Sequence, residues 1–151
     1  MIRTEALNIH LLDFSLRNVN LSVNENEFFV LMGPTGAGKT VLLEAIAGLI
    51  KVDGGKIFIG ETEVTGLPSE KRGVGIVYQD HALFPHLDVM ENITYGLRYH
   101  GIEAGEGRAR LKGLMDLLGI AHLLTRLPIH LSGGEKQRVA QARALDRKSV
   151  V

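Results

Sequence analysis

From Leu16 to Val23 (LRNVNLSV) apolar and polar residues alternate, the period-two pattern of a strand with one face on a core. Phe28–Met32 (FFVLM) is uninterrupted in its apolar character, rich in strand-favouring side chains and halted by Gly33, which predicts a buried strand of a parallel sheet. Lys39–Leu49 carries Leu, Glu and Ala with no breaker before Gly48 and predicts a helix. Lys56–Ile59 and Thr62–Thr65, separated by Gly60-Glu61, predict a hairpin, and Gly75–Tyr78 a further short strand. From about Asp88 to Leu127 β-branched residues thin out. Val89–Tyr99 and Arg108–Leu118 have helical patterns on either side of Gly101–Gly107. The stretch of about 88–131 therefore predicts a helical subdomain inserted into a sheet-bearing one, and Ser132–Leu145 predicts the next helix. There is no internal repeat and no low-complexity tract.

Composition narrows the classes. At 151 residues and 45% hydrophobic content the chain has the size and core of one ordinary domain. Its 17 Lys and Arg balance 17 Asp and Glu, which removes a bulk electrostatic case for nucleic acid or anionic membrane. The absence of Cys excludes a disulfide framework and a thiolate metal site, as suits a reducing cytoplasm. The start, MIRTEALNIHLLDF, lacks the cationic flank and unbroken apolar run of a signal peptide. The apolar runs Phe28–Met32 and Val41–Ile50 fall short of a membrane span, so a membrane role implies a partner chain.

Two glycine-bearing clusters carry candidate chemistry. Gly33-Pro34-Thr35-Gly36-Ala37-Gly38-Lys39-Thr40 fits G-x-x-x-x-G-K-[ST] between a predicted strand and a predicted helix, the context that motif requires. Its glycines allow consecutive N–H groups to point at one anion, and the helix N-terminus adds partial positive charge. Lys39 is placed for the β- and γ-phosphates of a nucleotide and Thr40 for Mg²⁺. In the second cluster, Leu131-Ser-Gly-Gly-Glu-Lys-Gln137, Ser132 and Glu135 have the spacing of a capping box. A cap does not explain Gly133 and Gly134, each costing about 1 kcal/mol relative to Ala in a helix. Bare amides at a helix start make a second anion site.

LSGGEKQRVAQARAL resembles the signature motif of ATP-binding cassette (ABC) ATPases, and GPTGAGKT their Walker A loop. Between them, in the same order, Val77–His86 (VYQDHALFPH) resembles the family's Q-loop, with Gln79 as its glutamine. The resemblance runs from about Leu7 to Leu145. It implies an α/β P-loop NTPase core of ABC type: a parallel sheet with an antiparallel N-terminal β subdomain and an inserted helical subdomain, incomplete at the C-terminus. It also implies ATP and Mg²⁺ as cofactors, and a dimer, taken as a homodimer. In that dimer Ser132, Gly133, Gly134 and Glu135 of one copy meet the γ-phosphate held by Lys39 of the other. Gln79 then senses Mg²⁺ and the attacking water, and Ala82-Leu-Phe-Pro85 stands where relatives receive an integral-membrane permease. Relatives stack adenine on an aromatic residue; Phe14 is the one aromatic of that region, spacing favours Leu11, and core packing is the expected job of Phe14.

The resemblance also shows what this sequence lacks. The carboxylate opposite Thr40, the catalytic acidic residue and the switch histidine follow the signature helix in the family. Here Asp146 is the one acidic residue after Glu135, and all six histidines precede Leu131. Residues 1–145 are thus expected to be part of a nucleotide-binding domain, weak or inactive in hydrolysis alone. Residues 146–151 (DRKSVV) are expected to be a non-native tail, since codons that spell them resemble the start of a sequencing adapter. The implied parent is the ATPase subunit of an importer at the cytoplasmic face of the membrane, a peripheral protein served indirectly by an extracytoplasmic solute-binding protein. The motif combination is similar to subunits for molybdate, tungstate or sulfate, with polyamine and ferric-ion importers nearly as close. Two other classes stand beside this one. A soluble ABC ATPase acting on DNA or ribosomes fits poorly with the neutral charge and compact insert; a nucleotide-binding module without turnover is the literal reading of these residues.

Overall fold

The computed structural model of the chain describes residues 1–78, 80, 82–95 and 104–146, the last range with side chains from 111 to 145. It folds as two compact units, Met1–Ile76 and the residues from Val77 onward.

The first unit is built on an antiparallel sheet of order β2-β1-β3-β4. Its strands are β1 (Ile2–Leu11), β2 (Phe14–Val23), β3 (Gly54–Ile59) and β4 (Thr62–Glu63). β1 pairs Ile2 with Val23 of β2 on one edge and with Ile59 of β3 on the other. The hairpin expected around Gly60-Glu61 forms, with Ile59 opposite Thr62. Helix α1 (Lys39–Ala47) lies within the expected Lys39–Leu49. The sheet face bearing Leu7, Ile9 and Ile57 closes on Leu42, Ala45 and Ile46 of α1, so the helix that follows the candidate phosphate loop is anchored by its apolar side.

The pattern did not mark β1, the central strand. Its ladder is irregular between Thr4 and Leu7 and again between Leu7 and Ile9. Ala6 and Asn18 take left-handed backbone there (φ 45° and 51°). Asparagine side chains satisfy the displaced groups: Ala6 N–H donates to Asn20 Oδ1 at 2.8 Å, and Asn18 N–H to Asn8 Oδ1 at 3.0 Å.

Phe28–Met32 corrects a second expectation. It is neither a ladder strand nor buried, with Phe28 93% and Met32 85% exposed, and Gly75–Tyr78 joins no ladder either. A strand needs a neighbour to take up its backbone groups and cover its faces, and the described residues supply none. The one sheet among the described residues is antiparallel. These runs instead border an apolar groove of about 570 Å³, lined by Phe29, Leu31, Leu42, Ile46, Val74 and Ile76.

The second unit is helical, with α2 (Val89–Thr94), α3 (Ala104–Leu118) and α4 (Gly133–Asp146). Asp88 and Glu91 cap α2 reciprocally, Glu91 N–H to Asp88 Oδ1 at 2.7 Å and Asp88 N–H to Glu91 Oε2 at 3.0 Å. Val89, Ile93, Leu111, Ile120, Leu123, Leu131, Val139 and Ala142 form one core. The signature-like helix α4 therefore packs inside the helical unit, which begins at Val77. The expected helix Val89–Tyr99 is described only to Tyr95, and the tail after Asp146 lies outside the described residues.

Candidate functional site

The loop Gly33–Thr40 opens into α1 through Gly38, which stands at the helix N-cap in left-handed backbone (φ 85°); Gly36 shares that conformation (φ 84°). Ala37 N–H donates to Pro34 O at 3.2 Å and closes the loop on itself. Among the described residues, the amides of Gly36, Gly38, Lys39 and Thr40 carry no hydrogen bond to the protein. No side chain caps α1, and no acidic residue occupies its first turn. Unpaired donors at a positive helix end are the chemistry an anion satisfies. Lys39 curls back over the loop, its Nζ donating to Gly33 O and Pro34 O at 2.7 Å each. Thr40 is exposed.

Position 38 must be glycine for a second reason. A Cβ there would lie 2.8 Å from Phe14 Cε1, 2.9 Å from Leu16 Cδ2 and closer still to Phe14 Cζ. Phe14 thus packs its ring against the cradle from β2, while Leu11 and Leu12 beside it in sequence are exposed.

Arg72, which no sequence pattern marked, holds the other end of α1. Its guanidinium is buried and donates to Ala45 O (2.8 Å), Ile46 O (3.2 Å), Leu67 O (2.8 Å) and Thr65 O (2.9 Å). Burial holds its pKa below the ordinary arginine value. A cation on the C-terminal carbonyls complements the helix dipole whose positive end is the cradle. Only its place after Lys71 and before Gly73 shows in sequence, which is no signal of burial.

The second cluster belongs to the other unit. Ser132 N–H donates to Glu135 Oε2 at 2.7 Å, and Glu135 N–H to Ser132 Oγ at 3.3 Å, so the capping box forms as its spacing predicts. These bonds hold the Glu135 carboxyl below its ordinary pKa, with Arg126 and Arg138 adding to the effect. The amides of Gly133 and Gly134 carry no bond among the described residues. Neither glycine has a positive φ. Among the described residues a Cβ on Gly133 would meet nothing within 4 Å, and one on Gly134 only Arg138 Nη1 at 3.7 Å. Unlike Gly38, these two glycines are not demanded by the fold of the chain.

Gln79 lies outside the described residues. Among the described residues no three His, Asp or Glu side chains come together as a metal site. The candidate residues thus form two separate groups, Gly33–Thr40 on the sheet-bearing unit and Ser132–Glu135 on the helical one.

Comparison with known proteins gives a consistent picture. The family profile "ABC transporter" matches residues 16–151. The molybdate/tungstate import ATP-binding protein of Pyrococcus abyssi is 48% identical over 145 residues, 96% of this chain and 42% of that protein. Its counterpart in Archaeoglobus fulgidus is 53% identical over 133 residues, 86% of this chain and 55% of that protein. The spermidine/putrescine import ATP-binding protein of Roseobacter denitrificans is 47% identical over 134 residues, 88% of this chain and 37% of that protein. The chain therefore spans about two fifths to a half of the length of these curated relatives. A dimeric post-hydrolysis ATP-binding cassette bound to ADP and Pi superposes with a TM-score of 0.81 at 30% identity, covering 97% of this chain and 70% of that one.

Proposed function

The chain belongs to the ABC transporter family, and on that premise we propose that it is the ATP-binding part of an importer's ATPase subunit, with molybdate, tungstate or a similar oxyanion as the solute. The likeness to molybdate/tungstate import ATP-binding proteins supports the solute class.

Gly36, Gly38, Lys39 and Thr40 offer their free amides to the phosphates of ATP. Lys39 exchanges the carbonyls of Gly33 and Pro34 for phosphate oxygens. Thr40 and Gln79 would hold Mg²⁺ from this chain, and the ion would neutralise phosphate charge. Ser132, Gly133 and Gly134, steadied by Glu135, meet the γ-phosphate held by a second copy. The observation that carries this reading is the pair of glycines at 133 and 134, open, unstrained and needless for the fold. Such residues fit a surface that another molecule approaches closely. Turnover belongs to the intact-length subunit. Among the described residues no helix is long and apolar enough to cross a membrane. In this reading the subunit sits at the cytoplasmic face on a permease, with Ala82–Pro85 as the docking edge. The solute-binding protein acts on that permease.

The test is equilibrium titration with ATP and Mg²⁺. The chain is expected to bind ATP, and Lys39→Ala to weaken binding by about tenfold or more through loss of a charge-assisted contact. Equal affinity of the variant would remove the cradle assignment. Robust hydrolysis by residues 1–151 alone would show that the catalytic parts are misassigned.

A further inference from the structure

The loop Ala82–Leu87 of the helical unit is gripped from two helices. From α2, the fully buried Asn92 accepts the Phe84 N–H at Oδ1 (2.8 Å) and donates from Nδ2 to the carbonyls of Phe84 (3.1 Å), Leu87 (2.9 Å) and Asp88 (2.9 Å). From α4, Arg143 Nη1 donates to Ala82 O at 2.8 Å, and its guanidinium carbon stands 5.3 Å from the Phe84 ring centroid. The centroid of that ring also stands 4.5 Å from that of Tyr95. Ala82 sits in left-handed backbone (φ 42°), a conformation alanine resists unless its surroundings hold it.

The two grips differ in kind. Asn92 reads the backbone of a segment that leads straight into its own helix, so it shapes a local turn. Arg143 lies 61 positions away from Ala82 and joins the loop to the helix whose first turn carries Ser132–Gly134. Among the described residues it has no carboxylate partner in the ion pairs of this chain. A planar, forked cation suits two tasks at once: stacking toward a ring and donating in its own plane to a carbonyl. Lysine has one compact head and cannot do both.

We propose that Arg143 is the positioning residue that builds the Ala82–Leu87 loop onto α4, so that the proposed docking edge and the helix bearing the second anion pocket form one rigid piece. This deepens the reading above, yet its geometry stands apart from whether that edge meets a permease. The experiment is site-resolved amide exchange on the full 151-residue chain, comparing wild type, Arg143→Lys, Arg143→Met and Phe84→Leu. Arg143→Met is expected to speed exchange of the Phe84 and Leu87 amides by about tenfold or more. The Asn92 amide, bonded to Asp88 O, and those around Val139 should keep their rates. Arg143→Lys should restore only part of the loop's protection, and Phe84→Leu should loosen the loop in the wild-type background while adding little to Arg143→Met. Unchanged loop exchange, full rescue by lysine, or uniform loosening of the whole unit would each overturn the proposal. If Arg143→Met fails to fold, Phe84→Leu decides, since normal loop protection without the ring removes half of the claimed grip. A loop held as described in a subunit that binds no permease would defeat the docking reading alone.

Discussion

Gly38→Ala and Gly133→Ala make the same chemical change in two glycine clusters and are expected to move stability in opposite directions. At Gly38 the added methyl faces a left-handed backbone (φ 85°), costing about 1–2 kcal/mol for an L side chain. It also overlaps Phe14 and Leu16, whose displacement costs about 1–3 kcal/mol by the usual range for overpacking. The sum is a loss of about 2–5 kcal/mol. At Gly133 the backbone is ordinary and the methyl meets nothing within 4 Å. The gain there is about 0.4–1 kcal/mol, from reduced freedom of the unfolded chain. At about 2–4 °C per kcal/mol for a chain of this size, the two variants should melt roughly 5–24 °C apart. Because the chain has two units, thermal melts should be paired with amide exchange of Leu42, whose N–H bonds Gly38 O, and of Lys136, whose N–H bonds Ser132 O. A Phe14→Ala background should remove the Phe14 part of the steric loss at Gly38→Ala and leave the Leu16 overlap and the backbone share. In the intact-length subunit, Gly133→Ala should keep or raise stability while lowering ATP turnover. A loss of 1 kcal/mol or more from Gly133→Ala alone would mean that the fold does need the glycine, and the argument for an external ligand would fail.

Replacing Arg72 by methionine strips the donors from four carbonyls around the end of α1 and should lower unfolding free energy by about 3–5 kcal/mol in urea titration; a change under about 1 kcal/mol would show that water replaces it freely. The Glu135 carboxyl titrates below its unfolded value, so its support for α4 is present above the ordinary glutamate pKa and is lost as pH falls through that range toward the folded value. An NMR pH titration should show the first turn of α4 loosening over that window, and Glu135→Gln should abolish the dependence; a titration identical in both proteins would refute the cap's role.

Local chemistry was legible in the sequence and long-range packing was not. α1, β2, the Gly60-Glu61 hairpin and the Ser132–Glu135 box follow from period, breakers and spacing, which act within a few residues. β1 was missed because its buried residues Thr4, Leu7 and Ile9 fall at spacings of three and two, the irregular register displacing the period-two signal. Phe28–Met32 has the composition of a buried strand, but burial requires neighbours that a five-residue pattern does not specify. Arg72 is invisible for a related reason: its acceptors belong to Ala45, Ile46, Thr65 and Leu67, none of them named by its own surroundings in the chain. For the candidate site, sequence supplied both clusters. The structure added the contrast between a glycine forced by Phe14 and Leu16 and glycines that nothing among the described residues forces.

The exposed FFVLM segment beside its greasy trough is expected to set how these 151 residues behave in a test tube. Five adjoining strand-prone residues whose peptide groups find no partner among the described residues can serve as a template for another molecule's extended chain, so self-association of the 151-residue chain is expected to grow with concentration, as light scattering would show. A charged substitution at Phe28 or Met32, whose side chains already face water, is the direct remedy, because it interrupts the sticky edge without entering the packed interior.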